Sequence, residues 1–194
     1  MEAAEIHERL AAKFAAKVVA FEATAKQPWA VVEPAAIAEI AAFCKADPEL
    51  AFDNLLCLSA VDYPKETPPR FEVVYHLYSY KHFHQFVLKV HLPRENPGVP
   101  TVEETWGVAN WHEREAWDLF GIAFEGHSDL RRILLPDDWT GHPLRKDWVD
   151  PDFYNGMHVK PTTQMAERFQ AGEKIGVGPF DFTPHNAHVP GGDA

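Results

Sequence analysis

The sequence has little cysteine: only Cys44 and Cys57 occur among 194 residues. An iron–sulfur cluster is held by about four thiolates at recognisable spacings, so this sequence alone does not provide for one. Both cysteines have apolar neighbours, Cys44 in a predicted helix and Cys57 in a predicted strand. A disulfide between them stays an alternative, but buried free thiols are the default interpretation.

Long apolar runs are also lacking. The longest covers residues 55–61, lies between Asp53 and Asp62, and falls far short of the roughly 20 residues that a membrane-spanning helix needs. Residues 1–10 are too acidic to form the apolar part of a signal peptide. We therefore expect any membrane association to depend on a partner.

Basic residues are outnumbered by acidic ones. Eighteen lysines and arginines stand against 29 aspartates and glutamates, which gives a net charge of −11. Such a chain repels the phosphates of nucleic acids and the headgroups of anionic lipids, so neither is expected as a direct partner. The apolar content of 46% is typical of a globular domain.

Motifs for catalysis and metal binding are absent or incomplete. His112-Glu113 begins like a zinc-protease helix, but Ala116 stands where the second histidine is required. His82 and His84 could face the same side of a strand, yet no third zinc ligand is indicated nearby. The chain also has no phosphate-binding glycine loop after a strand and no nucleophile elbow. We expect no metal and no active site.

The apolar pattern predicts an α+β fold. Ile6, Leu10 and Phe14 recur every four residues and indicate a first helix, and Pro34 opens a second one that ends at Asp47-Pro48. Strand-like runs cover residues 18–21, 29–32, 52–61, 71–78 and 86–92, of which 52–61 is the most apolar and is expected to be central. Short connections favour antiparallel neighbours. The predicted domain has two layers, with helices on one face of a mixed, mostly antiparallel sheet.

The domain is expected to cover residues 1–150, followed by an extended tail over 151–194. Residues 93–100 contain three prolines and are predicted to be an irregular linker, after which Thr101 and Glu104 form a capping-box pattern for a short helical segment. The tail is rich in proline and glycine and cannot bury a core of its own. We expect it to wrap a partner up to about residue 170 and to be disordered at its end.

Residues 111–148 form a block that combines tryptophans with many charged residues. A helix is predicted from Trp111, capped by Asn110 and ended by Gly121, with Arg114 and Asp118 paired one turn apart. Both faces of this helix carry a tryptophan beside charged residues, so we expect contacts on two sides. The block is too charged for a core and too apolar for a linker, which suggests a surface that a partner covers.

A family resemblance rests on this block. Residue types in fixed order and spacing form the pattern Glu113-Arg114-Glu115, Asp118-Leu119-Phe120-Gly121-Ile122, Phe124, Gly126-His127, Asp129-Leu130-Arg131-Arg132-Ile133-Leu134, Gly141 and Pro143-Leu144-Arg145-Lys146-Asp147. The pattern resembles the signature of the 30 kDa subunit, also called the C subunit, of proton-translocating NADH:quinone oxidoreductase (respiratory complex I). Ser128 departs from the proline usual in the family, and Trp148 stands where another aromatic residue is common.

The resemblance implies a non-catalytic structural subunit of the peripheral arm, on the cytoplasmic side of the cell membrane. Such a protein supports the D subunit and the quinone site, with the B and I subunits as further partners, during electron transfer from NADH to quinone coupled to proton translocation. FMN, iron–sulfur clusters, NADH and quinone would be bound by other subunits and none by this chain. Since no D-like domain is evident in the chain, we expect an unfused C subunit.

The signature also supplies a set of candidate residues for the partner interface. The charged members are expected to make hydrogen bonds to the D subunit, and the tryptophans to act as apolar anchors between them. The set comprises Trp111, Glu113, Arg114, Glu115, Trp117, Asp118, His127, Asp129, Arg131, Arg132, Asp138, Trp139, Arg145, Lys146 and Asp147. Alternatives are the equivalent subunit of a related membrane-bound hydrogenase or other donor:quinone complex, a free metallohydrolase, and a stand-alone binding module.

Overall fold

A computed structural model describes residues 1–158 of the chain. Its helices are α1 (Ala3–Phe14), α2 (Ile37–Ala46) and α3 (Ala109–Phe120). Its strands are β1 (Val18–Glu22), β2 (Trp29–Val32), β3 (Asn54–Tyr63), β4 (Arg70–Ser79), β5 (His84–Pro93), β6 (Gly98–Pro100), β7 (Ala123–Glu125), β8 (Phe153–Tyr154) and β9 (Met157–His158).

The main sheet has five strands in the order β1-β2-β5-β4-β3. β2 and β5 run parallel, with Ala30 opposite Leu88, and the other neighbours are antiparallel. This confirms the α+β class and the mixed, mostly antiparallel sheet. The prediction that residues 52–61 form a central strand is wrong, because β3 lies at the edge. Its apolar residues Leu55 and Leu58 are nevertheless buried, since α3 packs against this strand.

One hydrophobic core joins the helices to a single face of the sheet. α1 contributes Ile6 and Leu10, which are fully buried, and the period-four spacing of these residues is what directs one helix face inward. Each large apolar side chain buried in this way stabilises the fold by roughly 1.5–3 kcal/mol. The core also includes Phe14, Ile37, Ile40, Cys44, Phe71, Val73, Tyr75, Leu77, Phe86, Leu88, Val90, Ala109 and Ala116.

The segment predicted to be an irregular linker ends in regular structure. Residues 98–100 form β6, which pairs in parallel with β7, and the pairing continues where the Thr101 N–H donates to the Glu125 carbonyl. Pro100 is tolerated in β6 because this sheet has only two strands, so the N–H that proline lacks is not needed for pairing on a second side. The short helical segment predicted at Thr101 is also wrong, since residues 102–106 form a turn and the next helix begins at Ala109.

The chain divides into two compact units, Met1–Trp148 and Val149–Ala194. In the second unit the structure describes the hairpin of β8 and β9, whose turn residues Asn155 and Gly156 both have positive φ. The predictions for the tail beyond residue 158 lie outside the described residues. Within residues 1–158, no helix is long and apolar enough to cross a membrane.

Candidate functional site

α3 is the element around which the signature block is built. It begins at Ala109, two residues earlier than predicted, because Val108 already has helical backbone angles. Asn110 therefore does not cap it; its side chain donates instead to Glu103, at 2.6 Å. The helix ends at Gly121 as predicted, where φ is +74° and where a Cβ would lie within 2.6 Å of the Arg145 guanidinium.

Asp118 holds the loop that follows α3. Its side chain is fully buried, and one carboxylate oxygen accepts hydrogen bonds from the backbone N–H groups of Ile133, Leu134 and Leu135 at 2.9–3.1 Å. The other oxygen pairs with Arg132 at 2.6 Å. Burial alone would raise the pKa of Asp118, but these four donors outweigh it and hold the pKa below its usual value.

The predicted pair between Arg114 and Asp118 does not form. Arg114 donates to the backbone carbonyls of Arg131 and Arg132, at 3.2 and 3.1 Å, and is itself buried. The physical reason is that Asp118 is surrounded by N–H donors of the loop, which satisfy a buried carboxylate without Arg114. Both residues therefore fasten the loop at residues 131–135 to α3.

Arg132 connects three parts of the block. Besides Asp118, its guanidinium donates to the carbonyl of Trp139 at 2.7 Å, and it lies 5.8 Å from the centre of the Trp117 ring. A planar guanidinium with several donors suits such a junction better than lysine would. The adjacent Arg131 points to solvent and pairs with Asp129.

The arm at residues 141–148 supplies hydrogen-bond donors to the carbonyl groups at the C-terminal end of α3. The last carbonyls of a helix have no partner within it, and a buried end must find donors elsewhere. Here the arm supplies them: the His142 ring to Asp118 (2.9 Å), the Leu144 N–H to Leu119 (3.1 Å) and the Arg145 side chain to Phe120 (2.6 Å). Burial, together with Arg145 and Arg132, holds the pKa of His142 below its usual value, so the ring is neutral at pH 7.

A second set of contacts ties the arm to the sheet. Arg94 at the end of β5 binds Asp62 of β3 with two hydrogen bonds of 2.9 Å and binds Asp147 of the arm at 2.8 Å. Asp62 also accepts the backbone N–H of Lys146 at 2.8 Å. Sequence reasoning missed Asp62, Arg94 and His142. Asp62 and Arg94 are 32 positions apart, and no local pattern connects them.

Glu113 forms a buried polar cluster on the other side of α3. Its carboxylate accepts the Val102 N–H at 2.8 Å and the Thr101 hydroxyl, and His127 lies 3.9 Å away. Burial raises the pKa of Glu113 to about 7, although both hydrogen bonds and His127 act in the opposite direction. The His127 ring bonds the Asn110 carbonyl at 3.1 Å, so this cluster positions the turn at residues 126–129.

Comparison with known proteins decides the family. The model of the family described as respiratory-chain NADH dehydrogenase, 30 kDa subunit, matches residues 30–153. The chain belongs to this family. The resemblance predicted from the sequence is confirmed, and the matched region contains most of β2, all of β3 to β7 and the entire signature block.

Relatives of the 30 kDa subunit family extend this result. The NADH-quinone oxidoreductase C subunit of Roseiflexus castenholzii is 53% identical over 60% of the chain and 66% of the relative, and that of Chlorobium phaeobacteroides is 42% identical over 76% and 89%. The chain spans 49–66% of the length of three of the curated relatives that it matches. A solved trypsin-resistant fragment of Nqo5 is 35% identical, with a TM-score of 0.55 over 67% of the chain and all of the fragment.

The candidate interface residues fall into three classes of exposure. Buried residues, which have partners inside the chain, are Glu113, Arg114 and Asp118. Half-buried residues are Trp117, His127, Arg132, Trp139 and Arg145, although the side chain of His127 is itself fully buried. Exposed residues are Trp111, Glu115, Asp129, Arg131, Asp138, Lys146 and Asp147. The contact of this set with a partner stays a prediction, but the buried members shape the surface from within.

The exposed part of the block includes an apolar patch. Trp111 is 61% exposed and stacks near the Arg114 guanidinium, 5.4 Å from the ring centre. Val108, which directly precedes α3 and whose carbonyl accepts the Trp111 N–H, is also exposed, as is Leu134 in the loop. Among residues 1–158, no group of three or more His, Cys, Asp or Glu side chains is arranged to hold a metal ion. The exposed apolar side chains around Trp111 are suited to binding a protein surface.

Proposed function

We propose that the chain is a structural subunit, the C subunit, of the peripheral arm of a NADH:quinone oxidoreductase. The observation that carries the proposal is the match of the 30 kDa subunit family over residues 30–153. In this role the chain chiefly supports the D subunit and also contacts the B and I subunits, on the cytoplasmic side of the membrane. The complex transfers electrons from NADH to quinone and couples this transfer to proton translocation.

The exposed patch supports a protein-binding role. Tryptophan and arginine are the residue types that most often dominate binding energy at protein interfaces. Trp111 and Arg131, whose side chain is 68% exposed, lie on the same side of the block, because Arg114 stacks on Trp111 and donates to the Arg131 carbonyl. A tryptophan side chain has only two rotatable bonds and loses little conformational freedom on binding.

The ionisable side chains of the signature bind mainly to other parts of the same chain, which supports a structural role for the signature. Asp118 and Glu113 accept hydrogen bonds from the chain's own backbone, and Arg132 and Arg145 donate to its carbonyls. We propose that FMN, the iron–sulfur clusters, NADH and quinone are bound by other subunits and none by this chain. The alternative assignment to a related hydrogenase complex is not favoured, since the relatives compared above are named as NADH-quinone oxidoreductase subunits.

Purification of the tagged full chain from its native membrane in mild detergent tests the proposal. We expect the wild-type chain to bring down the D, B and I subunits, and the Trp111→Gln variant to recover them about tenfold less well. Glutamine keeps the helix and removes the ring.

The matched control is Phe83→Asn, which removes an aromatic side chain that is 79% exposed on the turn between β4 and β5. Asparagine suits the positive φ of 52° at that position. Equal recovery with Trp111→Gln and Phe83→Asn would reject the patch as the interface. Recovery of the wild-type chain alone would reject the proposed function.

A further inference from the structure

The outer edge of β3 is open within the described part of the chain. β3 is the last strand of the sheet and pairs only with β4, so none of the strands in residues 1–158 uses its other edge. Natural proteins protect such edges with lysine, proline or bulges. Residues 54–61 contain no charged residue, no proline and no glycine. One bulge lies between Leu55 and Cys57 and leaves the run from Leu58 onward in regular register.

A groove runs beside this edge, between β3 and the outer side of α3. Its volume is about 180 Å³, which fits one or two side chains. Leu144 of the arm stands at its wall and is 48% exposed, and Leu56 of the strand is 49% exposed. The residues that line the groove are Leu58, Ser59, Ala60, His112, Glu115, Ala116, Phe120 and Leu144. An added strand would place alternate side chains into this groove.

The charge of the groove distinguishes between the segments that could pair with the open edge of β3. Glu115 carries the one formal charge among the residues that line the groove, and it is exposed. A second copy of the chain would bring a net charge of −11 and its own Glu115 to the same edge, which disfavours pairing of two copies. A segment with apolar residues and a lysine or arginine matches both the groove and Glu115.

We propose that the outer edge of β3 binds an extended, apolar and basic segment of another subunit, which becomes the sixth strand of the sheet. Backbone hydrogen bonds to β3 supply affinity, an apolar side chain fills the groove, and a basic side chain pairs with Glu115. This inference rests on the proposed function, because the segment belongs to a neighbouring subunit of the same complex. The surface adjoins the patch around Trp111, because Glu115 lies one turn after Trp111 on α3.

Photo-cross-linking in the assembled complex tests the proposal. A benzophenone amino acid replaces Leu144 in the tagged full chain, the membrane is irradiated, and the complex is purified and analysed by peptide mass spectrometry. We expect a cross-link to a segment of another subunit that contains apolar residues and a lysine or arginine. Adding Ser59→Lys, which puts a charged side chain on the edge strand, should reduce this product about tenfold.

The matched control is Val19→Lys on β1, a residue that is 63% exposed at the opposite edge of the sheet, and we expect it to leave the product unchanged. A cross-link to a second copy or to residues 159–194 would overturn the proposal. An intact complex without the cross-link would also overturn it and would leave the proposed function standing. A purified chain without other subunits would contradict both.

Discussion

Asp118 shows how one carboxylate can organise a long loop. A buried charge is costly unless its hydrogen-bonding sites are filled, and here three backbone donors and Arg132 fill them. The same contacts fix the backbone of residues 133–135, which has no helix or strand of its own. Removing the charge should therefore cost stability and order together.

For Asp118→Asn we expect a loss of about 3–5 kcal/mol in the free energy of unfolding, because Arg132 then remains half-buried without its anion. Urea denaturation at pH 7 measures this loss. Asp129→Asn is the matched control, since its pair with Arg131 is exposed and worth at most about 1 kcal/mol. Equal effects of the two substitutions would contradict the role assigned to Asp118.

The low pKa of Asp118 gives this effect a pH dependence of known sign. The folded pKa lies below the unfolded value of about 3.9, so the ionised carboxylate stabilises the fold fully above that value. The contribution is lost as pH falls through the folded pKa. The difference in stability between the wild type and Asp118→Asn should therefore shrink below about pH 4.

The effect of Glu113 on stability has the opposite pH dependence to that of Asp118, because burial raises the pKa of Glu113 to about 7. Between the unfolded pKa of about 4.3 and this value, the unfolded chain loses the proton while the folded chain retains it, so rising pH destabilises the fold. Compared with Glu113→Gln, the wild type should lose up to about 1.4 kcal/mol of stability per pH unit in this window. The measurement is the urea midpoint of each protein from pH 5 to pH 8. If the two midpoints change with pH in the same way, the raised pKa assigned to Glu113 is wrong.

At the scale of elements, α3 and the arm at residues 141–148 act as one unit. The arm provides donors for the carbonyls at the C-terminal end of α3, and Gly141 lets the arm turn beneath Trp148. Gly141 has φ +85°, and a Cβ there would overlap the Trp148 ring. Glycine is required at this position for both reasons.

Gly141→Ala should lower stability by about 2–4 kcal/mol, which combines backbone strain with the clash against Trp148. Gly126→Ala is the matched control, since φ is +83° there but the nearest atom to a Cβ, in Thr101, is 3.6 Å away. Thermal unfolding followed by tryptophan fluorescence compares the two. A control as unstable as Gly141→Ala would indicate strain alone and no role for the packing against Trp148.

The sequence predicted the elements better than their contacts. The end of α3 at Gly121 was predictable, because a glycine after a helical run has a local conformational reason. The partner of Arg114 was not predictable, since the one-turn spacing to Asp118 competed with donors that arrive from residues 131–135 only after folding. The position of β3 at the sheet edge was missed for a similar reason, because α3 buries its apolar residues from the side.

At the scale of the whole molecule, the chain combines an α+β core with a block whose charges are mostly used internally. The family was predictable from the block because its residue types keep a fixed order and spacing, and the match over residues 30–153 confirms it. The residues of the interface were less predictable, because the sequence does not show which signature residues are exposed. Some of them are buried and hold the loops in place, and others are exposed and available to a partner. Trp111 belongs to the second group and is 61% exposed.

NADH:quinone reductase activity in membranes tests the central claim most directly. Membranes from cells that lack the chain should have lost this activity, and expression of the wild-type chain or of Phe83→Asn should restore it. Trp111→Gln should restore little of it, because the variant no longer holds its neighbours together. Full activity in membranes without the chain would contradict its assignment as a structural subunit of the complex.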